Sequence, residues 1–290
     1  MIRIVEVGPR DGLQNEPNFV PTEAKISFVN ALSKTGAVDI EASAFVSPRW
    51  VPQLRDAAEV FAGITRLDGV SYSALVPNEK GLERAIESSV DRIAVFTAAS
   101  ETFNQNNINA SVNDSFGRIE PVVKRAEEMK LSYRGYVSTA FWCPYEGKID
   151  PHKAADVIER LADCGVSDVS IGDTIGKASP QDVRELLDVV LERVPVERLA
   201  MHFHDTYGRA SDNVLASWEY GITIYDSCTG GIGGCPYAPG ASGNVATSTV
   251  VRTLRSAGAE VPVDLDAIEV ARKQIIGYLG GQRQPRDQIE

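Results

Sequence analysis

The chain carries, at residues 199–208, the stretch LAMHFHDTYG, in which a short apolar run ends in two histidines and a glycine turn. A bounded apolar run of this length predicts a buried strand. Side chains alternate along a strand, so His202 and His204 point to the same face. Two imidazoles on one face at the end of a strand form half of a divalent metal site. Alternatively, they are a hydrogen-bonded structural pair.

Short apolar runs alternate with longer amphipathic stretches along the whole chain. The predicted strands are Ile2–Val7, Val38–Phe45, Val70–Val76, Arg92–Thr97, Ser132–Ser138, Asp168–Gly172, Leu199–His204 and Ile224–Cys228. The predicted helices are Thr22–Thr35, Arg49–Gly63, Asn78–Ser88, Asn113–Met129, Asp150–Asp163, Ser179–Arg193, Arg209–Tyr220 and Asn244–Ala257. Eight alternating units favour a closed (β/α)8 TIM barrel, of the α/β class, over a doubly wound open sheet.

The length fits this prediction, since a TIM barrel takes about 250 residues. We expect one catalytic domain over residues 1–290, with the barrel at residues 2–258 and a short additional helical region and tail at residues 259–290. The helix of that region is predicted at Asp264–Leu279, packed outside the barrel or at a subunit interface.

Composition restricts the partners of the protein. A net charge of −11 repels a phosphate backbone, so we expect no nucleic acid to bind. No apolar run approaches the roughly 18 residues of a membrane span, so we expect no membrane partner. The four cysteines have no CxxC spacing, and a strand is predicted from Ile2 onward. These features lead us to expect a reducing, cytoplasmic location.

Polar residues collect where the predicted strands end, which is where a barrel of this kind carries its chemistry. Any one of them could be a structural cap or partner. So many ionisable groups at one end would cost several kcal/mol unless a cation or ligand compensates them. The residues concerned are Arg10, Asp11, Gln14, Glu41, Tyr136, Ser170, Asp173, His202, His204, Cys235 and Asn244.

Four of these residues are inferred to bind a divalent metal: Asp11, His202, His204 and Asn244. Nitrogen and oxygen donors without a thiolate suit Mg²⁺ or Mn²⁺. We predict that Gln14, Tyr136 and Ser170 bind the substrate. Cys235 lies in a glycine-dense loop that could carry a catalytic thiol over the site, or it is an inert small residue.

Six motifs in order resemble the 3-hydroxy-3-methylglutaryl-CoA lyase family over Ile2 to about residue 260. They are VGPRDGLQNE at 7–16, FVSP at 45–48, CPYEG at 143–147, GDTIG at 172–176, HDTYG at 204–208 and GGCPYA at 233–238. The resemblance implies a divalent-metal-dependent barrel that cleaves 3-hydroxy-3-methylglutaryl-CoA to acetyl-CoA and acetoacetate. It also implies a homodimer.

The resemblance further implies roles for the residues. Asp11, His202, His204 and Asn244 would bind the metal, and Cys235 would act as an acid or base. Arg10 would stabilise an enolate oxygen, with Glu41 and Asp173 supporting the site. Either His202, Asp11 or a bound water would take the proton from the substrate hydroxyl.

Two departures from the family pattern concern the substrate. Ala44 stands where a hydroxyl residue is frequent, and Trp142 stands where a glycine is usual. A bulky indole would reshape the pocket for another branched acyl group, such as isohexenylglutaryl-CoA or citramalyl-CoA. A condensing synthase and a metal-binding homologue without activity are further alternatives.

Overall fold

The computed structural model describes residues 1–233 and 243–279. Eight parallel strands form a closed barrel in which each strand pairs with its neighbours in sequence and the eighth pairs with the first. The strands are β1 Arg3–Glu6, β2 Asp39–Ala44, β3 Ser71–Leu75, β4 Arg92–Ala98, β5 Ser132–Ser138, β6 Val169–Asp173, β7 Leu199–Phe203 and β8 Ile224–Ser227. The predicted (β/α)8 barrel is confirmed, with all eight strands at the predicted places.

Helices connect the strands on the outside of the barrel. They are α1 Thr22–Leu32, α2 Ala57–Gly63, α3 Glu79–Glu87, α4 Glu101–Ile108, α5 Val112–Glu128, α6 Pro151–Asp163, α7 Pro180–Val190, α8 Ala210–Glu219, α9 Thr247–Ser256 and α10 Leu265–Ile276. None of the helices within these described parts of the chain is long and apolar enough to cross a membrane.

Helix α10 packs against α1 on the outside of the barrel, as the sequence predicts for the C-terminal region. The segment before it is tied to the start of the barrel by backbone hydrogen bonds. The amide of Ile2 donates to the carbonyl of Glu260 at 3.3 Å, and the amide of Asp264 donates to that of Thr35 at 2.8 Å. The extra helix therefore belongs to the barrel's outer layer.

Two of the predicted helices start too early. The helix predicted at Arg49–Gly63 begins only at Ala57, after a 3₁₀ turn at Pro52–Leu54. Val51 is extended at φ −130° and ψ 77° because the ring of the following proline disfavours the helical conformation. The helix predicted from Asn244 begins at Thr247, because Asn244 pairs as a β-bridge with His204.

Two small elements have no counterpart in the prediction. Helix α4 is rich in Asn and Gln and lacks an apolar stripe, but the hydroxyl of Ser100 caps it by accepting from the amide of Phe103. A short antiparallel hairpin joins Trp142–Cys143 to Gly147–Lys148 beyond the end of β5. Both lie at the end of the barrel where the strands finish, which is the end that carries the candidate site.

Candidate active site

The site begins with an unusual turn that follows β1 directly. The carbonyl of Val7 accepts hydrogen bonds from the amides of Arg10 (3.2 Å), Asp11 (2.8 Å) and Gly12 (3.3 Å), which makes a single widened, π-helical turn. Such turns occur frequently at functional sites. This one places two adjacent charged side chains, those of Arg10 and Asp11, at the mouth of the barrel.

Asp11 meets the two histidines there. The Nε2 atoms of His202 and His204 each lie 3.9 Å from the same oxygen of Asp11, Oδ2. One donor atom from each of the three residues lies within 4.8 Å of the others, a spacing that could hold one metal ion. Three of the four predicted ligands are therefore brought together, one from the turn after β1 and two from the end of β7, and these two strands pair on either side of β8.

The fourth predicted ligand lies beside them. Asn244 forms a bridge with His204, and its side-chain nitrogen donates to Asp11 Oδ2 at 2.8 Å. The same nitrogen lies 3.4 Å from the carbonyl of Ile232. The structure thus places the Asn244 amide against the carboxylate of the cluster, and its role as a ligand stays a prediction.

Burial and charge set the protonation of the cluster. Burial alone would raise the pKa of Asp11, but Arg10, the two histidines and Asn244 outweigh it and hold that pKa below its usual range. Burial, with the charges of His202 and Arg10, lowers the pKa of His204 to about 4. At neutral pH the cluster therefore offers an ionised carboxylate and an uncharged His204 imidazole, which are the forms that bind metal.

Arg10 is held in the same wall by two carboxylates. Its Nε donates to Glu41 Oε2 at 2.6 Å, and its Nη1 donates to Asp11 Oδ1. Glu41 is fully buried on β2 and also accepts from the hydroxyl of Tyr136 at 3.1 Å. The Arg10 guanidinium lies 5.2 Å from the centre of the Tyr136 ring. Arg10, Glu41 and Tyr136 thus form one connected group beside the metal-binding candidates.

Ser170 leads to a residue that the sequence analysis did not single out. Its hydroxyl donates to Oδ2 of Asp226 at 2.6 Å, and the same oxygen lies 3.3 Å from His202 Nδ1. Burial would raise the pKa of Asp226, but Arg134, His202 and Ser170 lower it overall. The available signal was an acidic residue inside the apolar strand β8, but its partners lie up to 92 residues away in sequence.

The remaining predicted residues are Asp173, Gln14 and Cys235. Asp173 accepts from the amides of Lys177 and Ala178, both at 3.1 Å, and so fixes the loop before α7. Burial raises the pKa of Asp173 to about 7. Gln14 lines the cavity described next. Cys235 lies in residues 234–242, outside the described residues.

A cavity of about 910 Å³ opens at this end of the barrel. Its volume lies within the size range of small-molecule sites. Arg10, Asp11, His202 and His204 are among the residues that line it. The other predicted residues on its wall are Gln14, Tyr136 and Ser170.

The tryptophan at this cavity is Trp50, whose side chain is 86% exposed, and not Trp142. Trp142 packs instead beside Lys177, whose ammonium lies 3.9 Å from the ring centre, and its Nε1 lies 3.4 Å from Asp182. The expectation that Trp142 shapes the pocket is therefore wrong. The hairpin carries its indole toward α7 and away from the cavity.

Comparison with known proteins shows the family to which the chain belongs. A family model described as HMGL-like matches residues 1–275. The cytoplasmic 3-hydroxy-3-methylglutaryl-CoA lyase of Rattus norvegicus is 49% identical over 267 residues, which cover 92% of this chain and 78% of that protein. The 3-hydroxy-3-isohexenylglutaryl-CoA/hydroxy-methylglutaryl-CoA lyase of Pseudomonas aeruginosa is 49% identical over 279 residues, which cover 96% and 93%.

A solved structure gives the same result for the fold. The crystal structure of the HMG-CoA lyase of Brucella melitensis superposes with a TM-score of 0.94 at 49% sequence identity, covering 96% of this chain and 98% of that one. Fold and sequence thus agree over nearly the whole length, and the chain belongs to the HMGL-like family.

Proposed function

We propose that this protein is a lyase that cleaves 3-hydroxy-3-methylglutaryl-CoA to acetyl-CoA and acetoacetate. The observation that carries the proposal is the contact between Arg10 and Asp11, which joins a candidate metal cluster to a buried cation on one cavity wall. The names of the relatives support the same reaction.

The residues present fit a divalent ion, for which we propose Mg²⁺ or Mn²⁺. Asp11, His202 and His204 offer one carboxylate oxygen and two imidazole nitrogens that face one another, and Asn244 lies beside them. Hard divalent ions accept this mixture of oxygen and nitrogen donors. When bound, such an ion polarises the hydroxyl and carboxylate oxygens of the substrate and lowers the pKa of the hydroxyl.

Cleavage creates a negative charge on the thioester fragment, and Arg10 is the residue that we propose stabilises it. A base at the cluster takes the hydroxyl proton, and the candidates are Asp11, His202 and a water. The hydroxyl oxygen becomes the ketone oxygen of acetoacetate as the C2–C3 bond breaks. The electrons of that bond form the C1=C2 double bond of the thioester enolate, and the negative charge moves onto the thioester oxygen. Arg10 lines the cavity with its guanidinium fixed by Glu41 and Asp11, so it stabilises that negative charge without having to reorganise.

The enolate carbon must finally gain a proton to become the methyl group of acetyl-CoA. We propose Cys235 as the donor, because a thiol with an ordinary pKa of about 8.5 is mostly protonated at neutral pH. The described ends of its segment, Gly233 and Gly243, flank the cluster: the amide of Asp205 donates to the carbonyl of Gly243 at 2.8 Å.

The reaction is tested directly by product analysis. Protein stripped with a chelator is mixed with 3-hydroxy-3-methylglutaryl-CoA, with and without added Mn²⁺ or Mg²⁺, and acetyl-CoA and acetoacetate are quantified. We expect equimolar products only in the presence of the ion. Stripped and reloaded protein that binds the ion but forms neither product would contradict the proposal.

The metal ligands are tested by a matched pair of histidine variants. His204→Ala removes a ligand and should weaken Mn²⁺ binding by at least about tenfold, since even supporting residues of metal sites have effects of that size. His152→Ala is the control, because His152 lies in the first turn of α6 with its side chain exposed. Calorimetric titration of the stripped proteins gives both affinities. Equal affinities would remove His204 from the site.

A longer acyl group is the second candidate substrate, and the cavity favours it. Apolar side chains form part of the wall, including Val46, Val51, Leu75, Val95 and Phe96. The Pseudomonas aeruginosa relative is named for both the isohexenyl and the methyl substrate. We expect kcat/KM for the isohexenyl substrate to be within about tenfold of that for the methyl one if these residues hold the acyl chain.

Assembly as a homodimer stays a prediction, which sedimentation analysis tests.

A further inference from the structure

A column of alternating charges runs through the barrel interior and ends at His202. Asp39 Oδ2 lies 3.1 Å from Nη1 of Arg92, and Arg92 also pairs with Asp168. Asp168 Oδ1 lies 2.9 Å from Nη2 of Arg134, whose Nη1 donates to Asp226 Oδ1 at 2.9 Å. These five side chains are buried, each at most 5% exposed.

The column is balanced in charge without His202. Arg3 lies at its outer end, 2.8 Å from Asp168 and 3.4 Å from Asp39. The three arginines Arg3, Arg92 and Arg134 therefore face the three acids Asp39, Asp168 and Asp226. Asp226 is paired with Arg134, so its ionised form does not depend on a positive charge on His202.

An ionised Asp226 can only accept hydrogen bonds. Its Oδ1 accepts from Arg134, and its Oδ2 accepts from Ser170 and lies 3.3 Å from His202 Nδ1. The nitrogen facing it must therefore carry a hydrogen. In a neutral imidazole this leaves Nε2, the nitrogen that faces Asp11, with the free lone pair.

His204 is placed differently. Its Nδ1 is buried and, within residues 1–233 and 243–279, has no hydrogen-bond partner. The two histidines of the cluster are thus unequal, since among the described residues a carboxylate lies against Nδ1 of His202 and none lies against Nδ1 of His204. We propose that Asp226 is a positioning residue, which fixes the ring and tautomer of His202 so that Nε2 is aimed at the ion-binding position.

The inference rests on the metal binding of the proposed function and adds a consequence for it. With Nδ1 donating to Asp226 and Nε2 engaged by an ion, His202 has no lone pair left to take a proton. His202 then drops out of the residues that could deprotonate the substrate hydroxyl. Its part in the reaction is to hold the ion in place.

The test compares two isosteric variants of the same column. Asp226→Asn brings an amide N–H₂ next to either Arg134 or His202, and so it disturbs the tautomer. Asp39→Asn removes the same charge from the far end of the column without touching His202. Mn²⁺ is titrated calorimetrically into each stripped protein, with no substrate present.

We expect Asp226→Asn to weaken Mn²⁺ binding about 10- to 100-fold and Asp39→Asn to leave it as in the unmodified protein. Equal affinities of the two variants would overturn the proposal. Asp226→Asn could weaken Mn²⁺ binding as expected while the unmodified, metal-loaded protein cleaves no acyl-CoA. This outcome would reject the proposed reaction but not this inference.

A second measurement on the unmodified protein covers the case in which Asp226→Asn fails to fold. The chain has only three histidines, so ¹⁵N-labelled imidazole correlation spectra of the stripped protein can be assigned by omitting one at a time through His152→Ala and His204→Ala. We expect His202 to carry its proton on Nδ1. A proton on Nε2 of His202 would overturn the proposal.

Discussion

Arg10 is the residue that connects the two halves of the site. One side of its guanidinium is bound to the buried Glu41, and the other contacts the carboxylate of the metal cluster, Asp11. A planar, fixed cation of this kind suits a charge that appears only during the reaction. We propose that Arg10 stabilises the enolate and that the cluster containing Asp11 binds the ion.

Replacing Arg10 by lysine should affect the stabilisation of the enolate most. A single ammonium keeps the positive charge but cannot bond Glu41 and Asp11 with the same planar fork. We expect Arg10→Lys to lower kcat about 10²- to 10³-fold, as loss of one oxyanion donor does. The control is Arg66→Lys, since Arg66 pairs with Asp91 on the surface. An Arg10→Lys enzyme that kept the kcat of the Arg66→Lys enzyme would contradict this role.

Asp173 should make the stability of the protein depend on pH. Burial raises its pKa to about 7 in the folded chain, whereas an unfolded aspartate titrates near 3.9. Between these values the folded state binds the extra proton, so the contribution is complete below about pH 4 and is lost as the pH rises through 7. Asp173→Asn lacks this titration.

The prediction is measured by urea unfolding of stripped protein at pH 5, 6, 7 and 8. The unmodified protein should lose stability relative to Asp173→Asn as the pH rises, by up to about 1.4 kcal/mol per pH unit. Titrations common to both proteins cancel in this difference. A difference that stayed constant over the range would show that Asp173 is ionised throughout.

Individual site residues were predictable where the motif names them and unpredictable where a long-range contact defines them. The cluster of Asp11, His202 and His204 follows from polar residues at strand ends. Asp226 does not, because its function depends on Arg134, Ser170 and His202, which only the closed barrel brings to it. Trp142 shows the reverse error, since the path of its hairpin could not be read from the sequence.

At the scale of elements, the widened turn after β1 requires glycine at position 12, because its neighbours leave no space for a side chain. A Cβ on Gly12 would lie 2.7 Å from Ile232 Cγ1 and 2.8 Å from Cys228 Sγ. Both neighbours are fully buried side chains of the loop after β8. The turn that carries Asp11 is therefore packed directly on the loop that leads toward Asn244.

A matched pair of glycine variants tests this packing. Gly12→Ala should destabilise the fold by about 1–3 kcal/mol, the usual cost of overpacking a core, and should weaken Mn²⁺ binding by displacing Asp11. Gly117→Ala is the control, because Gly117 is exposed within α5 and, apart from its chain neighbours and its own helix backbone, no atom of the described residues lies within 4 Å of the added Cβ.

The control should stabilise the protein by about 0.5–1 kcal/mol, since alanine is the better helix former. Urea unfolding and calorimetry measure both quantities. A Gly12→Ala protein as stable as the unmodified one would show that the turn can shift without cost.

The sequence predicts the elements well where burial imposes a period. Most residues of the eight strands are buried, and Ser132–Ser138 is predicted to the residue. Helix α2 is predicted too long because Pro52 overrides the apolar pattern before it. Helix α4 is missed because its polar sequence gives no pattern, and only its cap at Ser100 marks the start. Local features such as a proline or a capping serine determine where such short elements begin. The periodicity of apolar residues does not show these features.

At the scale of the whole molecule, the barrel converts sequence separation into proximity. The ends of parallel strands share one rim, and the residues of the cluster meet there. Asp11 lies on the first loop, His202 and His204 lie at the end of the seventh strand, and Asn244 follows the eighth. The charged column below them links that rim to the opposite end of the barrel through Arg134 and Asp168. The fold thus forms the cavity and also places the charged column against the metal-binding candidates at the rim.

The measurement that tests the central claim most directly joins metal binding to the reaction in one titration. Mn²⁺ is added stepwise to stripped protein in the presence of 3-hydroxy-3-methylglutaryl-CoA, and the rate of acetyl-CoA formation is recorded beside the calorimetric binding curve. The account predicts one ion per chain and a rate that rises in parallel with occupancy. A rate that is unchanged by chelation, or full occupancy without cleavage, would contradict it.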